Sequence, residues 1–209
     1  MSALYAGASN RYTLAMDVLN RTFVGVRLPL AQFQPLEEKI LLLKRKPGVD
    51  NLRWNAHSEL LLNLCSLGEL SPITVLSLKP ILRQIAGSSS PFNLEIKGFG
   101  GIPNMIQPRY VYAGIEGPDL YRLPTLAEEV DRATRPFTPH RDAKPFQAHI
   151  VLGRLKTESE QFRVALGRAL KLAEQPFITE WRIEHLELLC SRASESGIGY
   201  TVMDQAPLG

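Results

Sequence analysis

The sequence predicts an α+β fold, with helices laid against antiparallel strands, and three observations carry the prediction. Strand-like and helical runs follow one another in the order β-α-β-α-β-β-α-β-α-β-β. Glycine and proline punctuate the chain between those runs, as at Gly48, Gly87–Pro91 and Gly100–Pro108. The composition, 44% apolar and 22% charged over 209 residues, is that of an ordinary globular protein large enough for one domain or two small lobes.

Residues 1–20 read as an N-terminal extension, in which Tyr12–Leu19 could make two helical turns, and 21–209 as a single domain. The first strand is expected over Thr22–Leu28, because Phe23-Val24-Gly25-Val26 is an apolar run that stops before Pro29. A helix over Gln34–Lys44 follows, acids Glu37 and Glu38 early and bases Lys44, Arg45 and Lys46 late, the order that suits the helix macrodipole. Ser58–Leu67 reads as a second strand, with His57, Glu59, Leu61, Asn63 and Cys65 on one face and Leu60, Leu62 and Leu64 on the other.

Ser71-Pro72 has the form of an N-cap with proline at the first helical position, opening a helix that ends near Gly87 and that Pro80 must start, kink or interrupt. Two strands, Phe92–Phe99 and Arg109–Ile115, flank the Gly100–Pro108 turn. Leu120, Leu123, Leu126, Val130 and Ala133 share one face of a third helix over Asp119–Ala133. A polar loop over 134–148 leads to a short strand at His149. Thr157-x-x-Glu160 is a capping-box pattern before a helix that buries Phe162, Ala165, Leu166, Ala169 and Ala173. Strands over Ile178–Cys190 and Gly199–Asp204 close the chain.

The bulk properties exclude several function classes. With 24 basic against 21 acidic residues, the net charge of +3 does not force a general polyanion-binding role, though it allows a localised basic patch. The two cysteines, Cys65 and Cys190, sit in apolar runs without paired spacing, which suits buried thiols and neither a zinc site nor a disulfide framework. No leader and no span of membrane length is visible, so the expected location is cytoplasmic, with no membrane partner. No glycine-rich phosphate loop, metal-ligand cluster or Ser/His/Asp arrangement points to another enzyme class, and no metal or cofactor is expected.

The stretch richest in chemistry is Lys144-Pro145-Phe146-Gln147-Ala148-His149-Ile150-Val151-Leu152-Gly153-Arg154. Strand alternation points His149, Val151 and Gly153 one way and Ile150 and Leu152 into a core. Its Phe-x-x-His-Ile-x-Leu-Gly-Arg pattern resembles the second half of the duplicated His-x-Thr-x signature of the 2H phosphoesterases, in particular the RNA 2',3'-cyclic phosphodiesterases, also called 2'-5' RNA ligase-like proteins. Val151 stands at the threonine position. About ninety residues upstream, Arg53-Trp54 and Leu67-Gly68-Glu69 bracket the first half, and counting from either end puts Leu61 at the histidine position and Asn63 at the threonine position. The resemblance covers residues 22 to 204, helped by Leu186–Ser191 and Tyr200-Thr201-Val202. It implies a two-lobed, duplicated fold whose signature strands face each other across a central cleft.

Opening a 2',3'-cyclic phosphate takes in-line attack of water on phosphorus and two proton transfers, for which a pair of imidazoles is suited because their pKa lies near working pH. Threonine hydroxyls would steady the non-bridging oxygens. Here His149 keeps acid/base capacity, Leu61 has none, Asn63 can donate an amide hydrogen bond, and Val151 can donate nothing. The expected outcome is a degenerate member without efficient phosphodiesterase activity that binds RNA ends or nucleotide phosphates. The alternatives are slow or altered catalysis through His149, with His57 standing in from a bent strand start, and an interaction scaffold with no ligand.

Around the signature, the resemblance makes Arg154 a phosphate contact, and its guanidinium fork fits that role, whereas a rim ion pair is the plainer reading. Arg109 and Tyr110, after the Gly/Pro turn, are candidate phosphate or RNA contacts, and Tyr110 or Tyr112 could stack on a base or simply be a half-buried sheet aromatic. His140 with Arg135, Arg141 and Lys144 forms a basic loop that could guide an anion or merely be solvated. His185 reads as structural.

Overall fold

In a computed structural model, which describes residues 19–138, 145–194 and 197–209, the chain forms a nine-stranded antiparallel sheet with four helices. The strands are β1 (Leu19–Arg27), β2 (Leu52–Trp54), β3 (Leu61–Leu70), β4 (Phe92–Ile102), β5 (Tyr110–Glu116), β6 (His149–Leu155), β7 (Phe177–Ile183), β8 (His185–Ser194) and β9 (Gly197–Pro207). The helices are α1 (Leu30–Lys44), α2 (Pro72–Gly87), α3 (Arg122–Thr134) and α4 (Glu160–Lys171). This is the expected α+β class, built on one continuous sheet in the order β7-β4-β5-β6-β3-β1-β8-β9, with β2 paired to β6. The two signature strands are its centre, joined through the single partner pair Leu62↔Ile150.

Local chemistry explains most element ends. Ser71 accepts a hydrogen bond from the backbone N–H of Thr74 at 3.2 Å and caps α2 as its sequence suggests, and Pro80 is carried inside that helix. At α4 the cap is Ser159, which accepts from Phe162 N–H, so the Thr157 capping box is not the one used. Helix α1 begins at Leu30, earlier than expected, and carries Pro35 in its second turn, where the missing N–H forgoes a bond to the Ala31 carbonyl. The expected Ile178–Cys190 strand is two strands broken at Glu184, and β2 was not foreseen, being only three residues long. His57–Glu59, expected as the start of a strand, is a 3-10 turn, so those residues do not continue the alternation of β3.

Helices and strands interleave along the chain. Helix α1 follows β1 but packs against β7, whereas α3 follows β5 but packs against β3. Helix α4 covers β4, and α2 covers β8 and β9. The core between them is built from fully buried residues such as Val24, Leu36, Leu62, Leu78, Ile96, Val130, Ile150 and Trp181. Both cysteines are buried, as expected of small hydrophobes. Among the described residues no helix is long and apolar enough to cross a membrane.

Candidate active site

Register places the four signature positions together. Because Leu62 and Ile150 pair antiparallel, Asn63 lies alongside His149 and Leu61 alongside Val151, on the face opposite the one where Leu62 and Ile150 are buried under the helices. Each strand of the pair has a neighbour with matching register. Gly25 and Arg27 of β1 stand opposite Asn63 and Leu61, and Tyr112 and Gly114 of β5 stand opposite Val151 and His149. All eight residues therefore share the face turned away from the helices.

A β-bulge follows each signature copy and reverses the alternation. On β3 the register steps from Gly25↔Asn63 to Val24↔Cys65, leaving Leu64 unmatched. On β6 it steps from Tyr112↔Val151 to Val111↔Gly153, leaving Leu152 unmatched. Such an extra residue re-aims every side chain beyond it. Cys65 thus turns to the helix side, 4.0 Å from Thr134 Oγ1, and Gly153 joins the buried Val111, both against the simple alternation read from sequence. Arg154, which alternation would have buried, pairs with Tyr110 and emerges on the same face as His149. Ser66 occupies the corresponding place on β3, where its hydroxyl accepts a 2.8 Å hydrogen bond from Asn63 Nδ2. Asn55, which sequence reading passed over, secures the second bulge: its N–H donates to Leu152 O at 2.8 Å and its Nδ2 to Val151 O at 3.0 Å.

His149 is half-buried, with its ring 5.3 Å from that of Tyr112 and tilted by 56°. Burial pulls its pKa below the ordinary imidazole value, and a hydrogen bond with the Gln147 backbone partly opposes that shift. At neutral pH the ring is therefore mostly uncharged, a proton acceptor more than a cation. Tyr112 fits beside it because its cross-strand partner, Gly100, has no Cβ, which would overlap the phenol ring. Asn63 Oδ1 is buried and has no hydrogen-bond donor among the described residues. Leu61 is buried, and its Cδ1 leans over Gly25, where an added Cβ would come within 2.9 Å of it.

The remaining candidates divide. Arg154 is exposed and has no ion-pair partner among the described residues. Tyr110 is exposed beside it. Arg109 is instead tied to Glu158 at 3.3 Å, in the loop before α4. His57 does not reach the face: its Nε2 is 2.7 Å from Leu28 O and its ring stacks on Phe33, so it serves the 3-10 turn. Arg135, just past the end of α3, pairs with Asp131 of that helix, while His140, Arg141 and Lys144 lie outside the described residues. Two cavities of about 270 and 330 Å³ lie elsewhere, between α2 and α3 and beside α4, and contain none of the predicted site residues. Among the described residues no cluster of three or more His, Cys, Asp or Glu could hold a metal ion.

With an antiparallel sheet flanked by four helices and β3 and β6 paired at its centre, the chain is similar in sequence and in fold to the 2H phosphoesterases. Among particular relatives, it is 26% identical over 160 residues to an RNA 2',3'-cyclic phosphodiesterase of Aquifex aeolicus, covering 75% of this chain and 82% of that protein. Its fold matches TT0787 of Thermus thermophilus with a TM-score of 0.68 at 25% identity, covering 90% and 97% of the two chains. It also matches E. coli LigT in complex with 3'-AMP, with a TM-score of 0.67 at 22% identity, covering 91% and 98%. No family model matches the chain.

Proposed function

We propose that this chain is a 2H phosphoesterase-like protein that binds RNA ends or nucleotide phosphates on the His149 face and lacks efficient cyclic phosphodiesterase turnover. One observation carries the reading: the paired signature positions hold Leu61 beside Val151 and Asn63 beside His149, a single imidazole where the two-proton chemistry needs two. The binding half of the reading is supported by Arg154, exposed on the same face and without an ion-pair partner among the described residues, and by the names of the relatives, a cyclic phosphodiesterase and a protein complexed with 3'-AMP. Loss of one proton-transfer group typically removes about 10²–10⁴-fold in rate and loss of an oxyanion donor about 10²–10³-fold, with the two effects not simply multiplying. His57 does not restore the missing function, since its ring is committed to Leu28 and Phe33.

The test is hydrolysis of a short oligonucleotide ending in a 2',3'-cyclic phosphate, in chelator, by the natural chain, by His149→Ala, and by the triple variant Leu61→His/Asn63→Thr/Val151→Thr. The expected result is no turnover by the natural chain and measurable turnover by the triple variant. Turnover by the natural chain that vanishes in His149→Ala would overturn the inactive reading in favour of slow catalysis through His149.

A further inference from the structure

The half of the face that lacks a histidine carries a charged assembly that the signature does not explain. Arg27 stands directly across from Leu61. Its Nε lies 3.2 Å from both oxygens of Glu187, its Nη2 2.9 Å from Oε1, and its backbone N–H donates to Oε2 at 2.9 Å. Glu187 is only 2% exposed, and it reaches this face because it pairs with Gly25. His185 Nε2 adds a contact of 3.8 Å to Glu187 Oε1. The Arg27 side chain, in contrast, is 44% exposed. A carboxylate this buried, with both oxygens engaged by one half-exposed guanidinium, acts as a bracket that holds the arginine in a single orientation. The bracket uses Nε and Nη2, which leaves the Nη1 donors uncommitted among the described residues.

The two halves of the face differ at this point. The register that sets Gly25 between Asn63 and Glu187 on one side sets Tyr112 between Val151 and Gly100 on the other. Aromatic packing supports His149, and an ion pair fills the corresponding place beside Leu61. We propose that Arg27, held by Glu187, grips phosphate in the half of the face where Leu61 stands, and that the ligand is the terminal phosphomonoester of a ribose, not a cyclic diester. This rests on the reading of the face as a phosphate site.

Charge and hydrogen bonding both favour the monoester. Strands β1 and β6 are two strand spacings apart, about 10 Å, and Arg154 lies beyond the β6 bulge from Val151, the position level with Arg27, a separation that two arginine side chains directed at the Leu61 position can bridge. Two guanidinium forks match three terminal oxygens and a charge near −2 better than the two free oxygens and single charge of a cyclic diester. Asn63 is the next residue beyond Leu61 on this face, on the side away from Arg154, and its Oδ1 lacks a donor among the described residues. A ribose bearing a 3'-phosphate has a free 2'-hydroxyl that can donate to that oxygen after a small rotation of the half-buried amide, whereas the cyclic diester has no such hydroxyl.

The experiment is fluorescence anisotropy with one RNA sequence ending in a 3'-phosphate, a 2',3'-cyclic phosphate, a 3'-hydroxyl, or a 3'-phosphate on a 2'-deoxyribose. Arg27→Gln/Glu187→Gln is the test variant, because removing both charges leaves no buried carboxylate unpaired, and its melting curve checks folding. The natural chain is expected to prefer the 3'-phosphate over the other ends by about tenfold, and the double variant to lose that preference. Competition with a 3'-phosphorylated mononucleotide distinguishes a free nucleotide from an RNA end, and either source fits the proposal. If the folded double variant keeps the preference while Arg154→Ala or His149→Ala weakens binding, the role of Arg27 is overturned and the phosphate-site reading stands. If the natural chain ignores the terminal group and neither single variant matters, the phosphate-site reading itself falls.

Discussion

At the residue scale the site is a set of unequal bargains with water. His149 is held uncharged by burial, so its stability contribution has a definite sign with pH. The unfolded chain takes up the proton near pH 6.5, the folded chain only at lower pH, so protonation favours unfolding as pH falls. His149→Asn should therefore lose less stability than the natural chain between pH 7.5 and 5, read from urea midpoints. The Arg27–Glu187 pair is asymmetric in the same way. Removing Arg27 strands a buried carboxylate, at a cost of about 3–5 kcal/mol, whereas Glu187→Gln leaves a half-exposed guanidinium that water can solvate, at a cost of about 1–3 kcal/mol. Urea titration should rank Arg27→Ala as the more damaging change, and the reverse order would show that Glu187 is solvated in a way its burial contradicts.

At the element scale, the bulges after Asn63 and Val151 decide which side chains share a face. Glycine at position 153 is part of that device, because a Cβ there would come within 2.7 Å of Arg53 O, a backbone atom of the neighbouring β2. Gly153→Ala must push β2 away from β6 and is expected to cost about 1–3 kcal/mol. The same shift should weaken RNA binding, because Arg154 pairs with Arg53 and Tyr110 across this bulge, and its aim depends on the register. Unchanged stability together with unchanged binding in Gly153→Ala would show that the bulge is not what aims Arg154. A helix cap makes a useful contrast: Ser71→Ala should cost about 1 kcal/mol through the lost bond to Thr74 and leave binding untouched.

At the scale of the whole molecule, the chain crosses between the two ends of the sheet. With α1 against β7 and α3 against β3, neither half of the sequence contains the helices that cover its own strands. Unfolding should be a single cooperative transition. The two tryptophans test this separately: Trp54 lies in β2, and the fully buried Trp181 lies in β7 at the sheet edge. Trp54→Phe and Trp181→Phe leave one reporter each, and their fluorescence transitions in urea should coincide with loss of far-ultraviolet circular dichroism. Separated midpoints would mean that the β7 edge and the centre of the sheet, where β2 pairs with β6, unfold independently despite the crossed packing.

The sequence by itself determined the fold class, most strand and helix positions and the cap at Ser71. These depend on composition, local periodicity and spacing, which the chain carries residue by residue. Only the tertiary structure decided that Leu61, Asn63, His149 and Val151 adjoin, that Arg154 and not Gly153 faces with them, and that His57 belongs to a 3-10 turn. It also decided that Arg27 and Glu187, 160 residues apart, form one assembly beside Leu61. A bulge leaves no mark in hydrophobic alternation until a partner strand supplies the register, and a pair of opposite charges far apart in sequence is visible only once the strands between them are placed side by side.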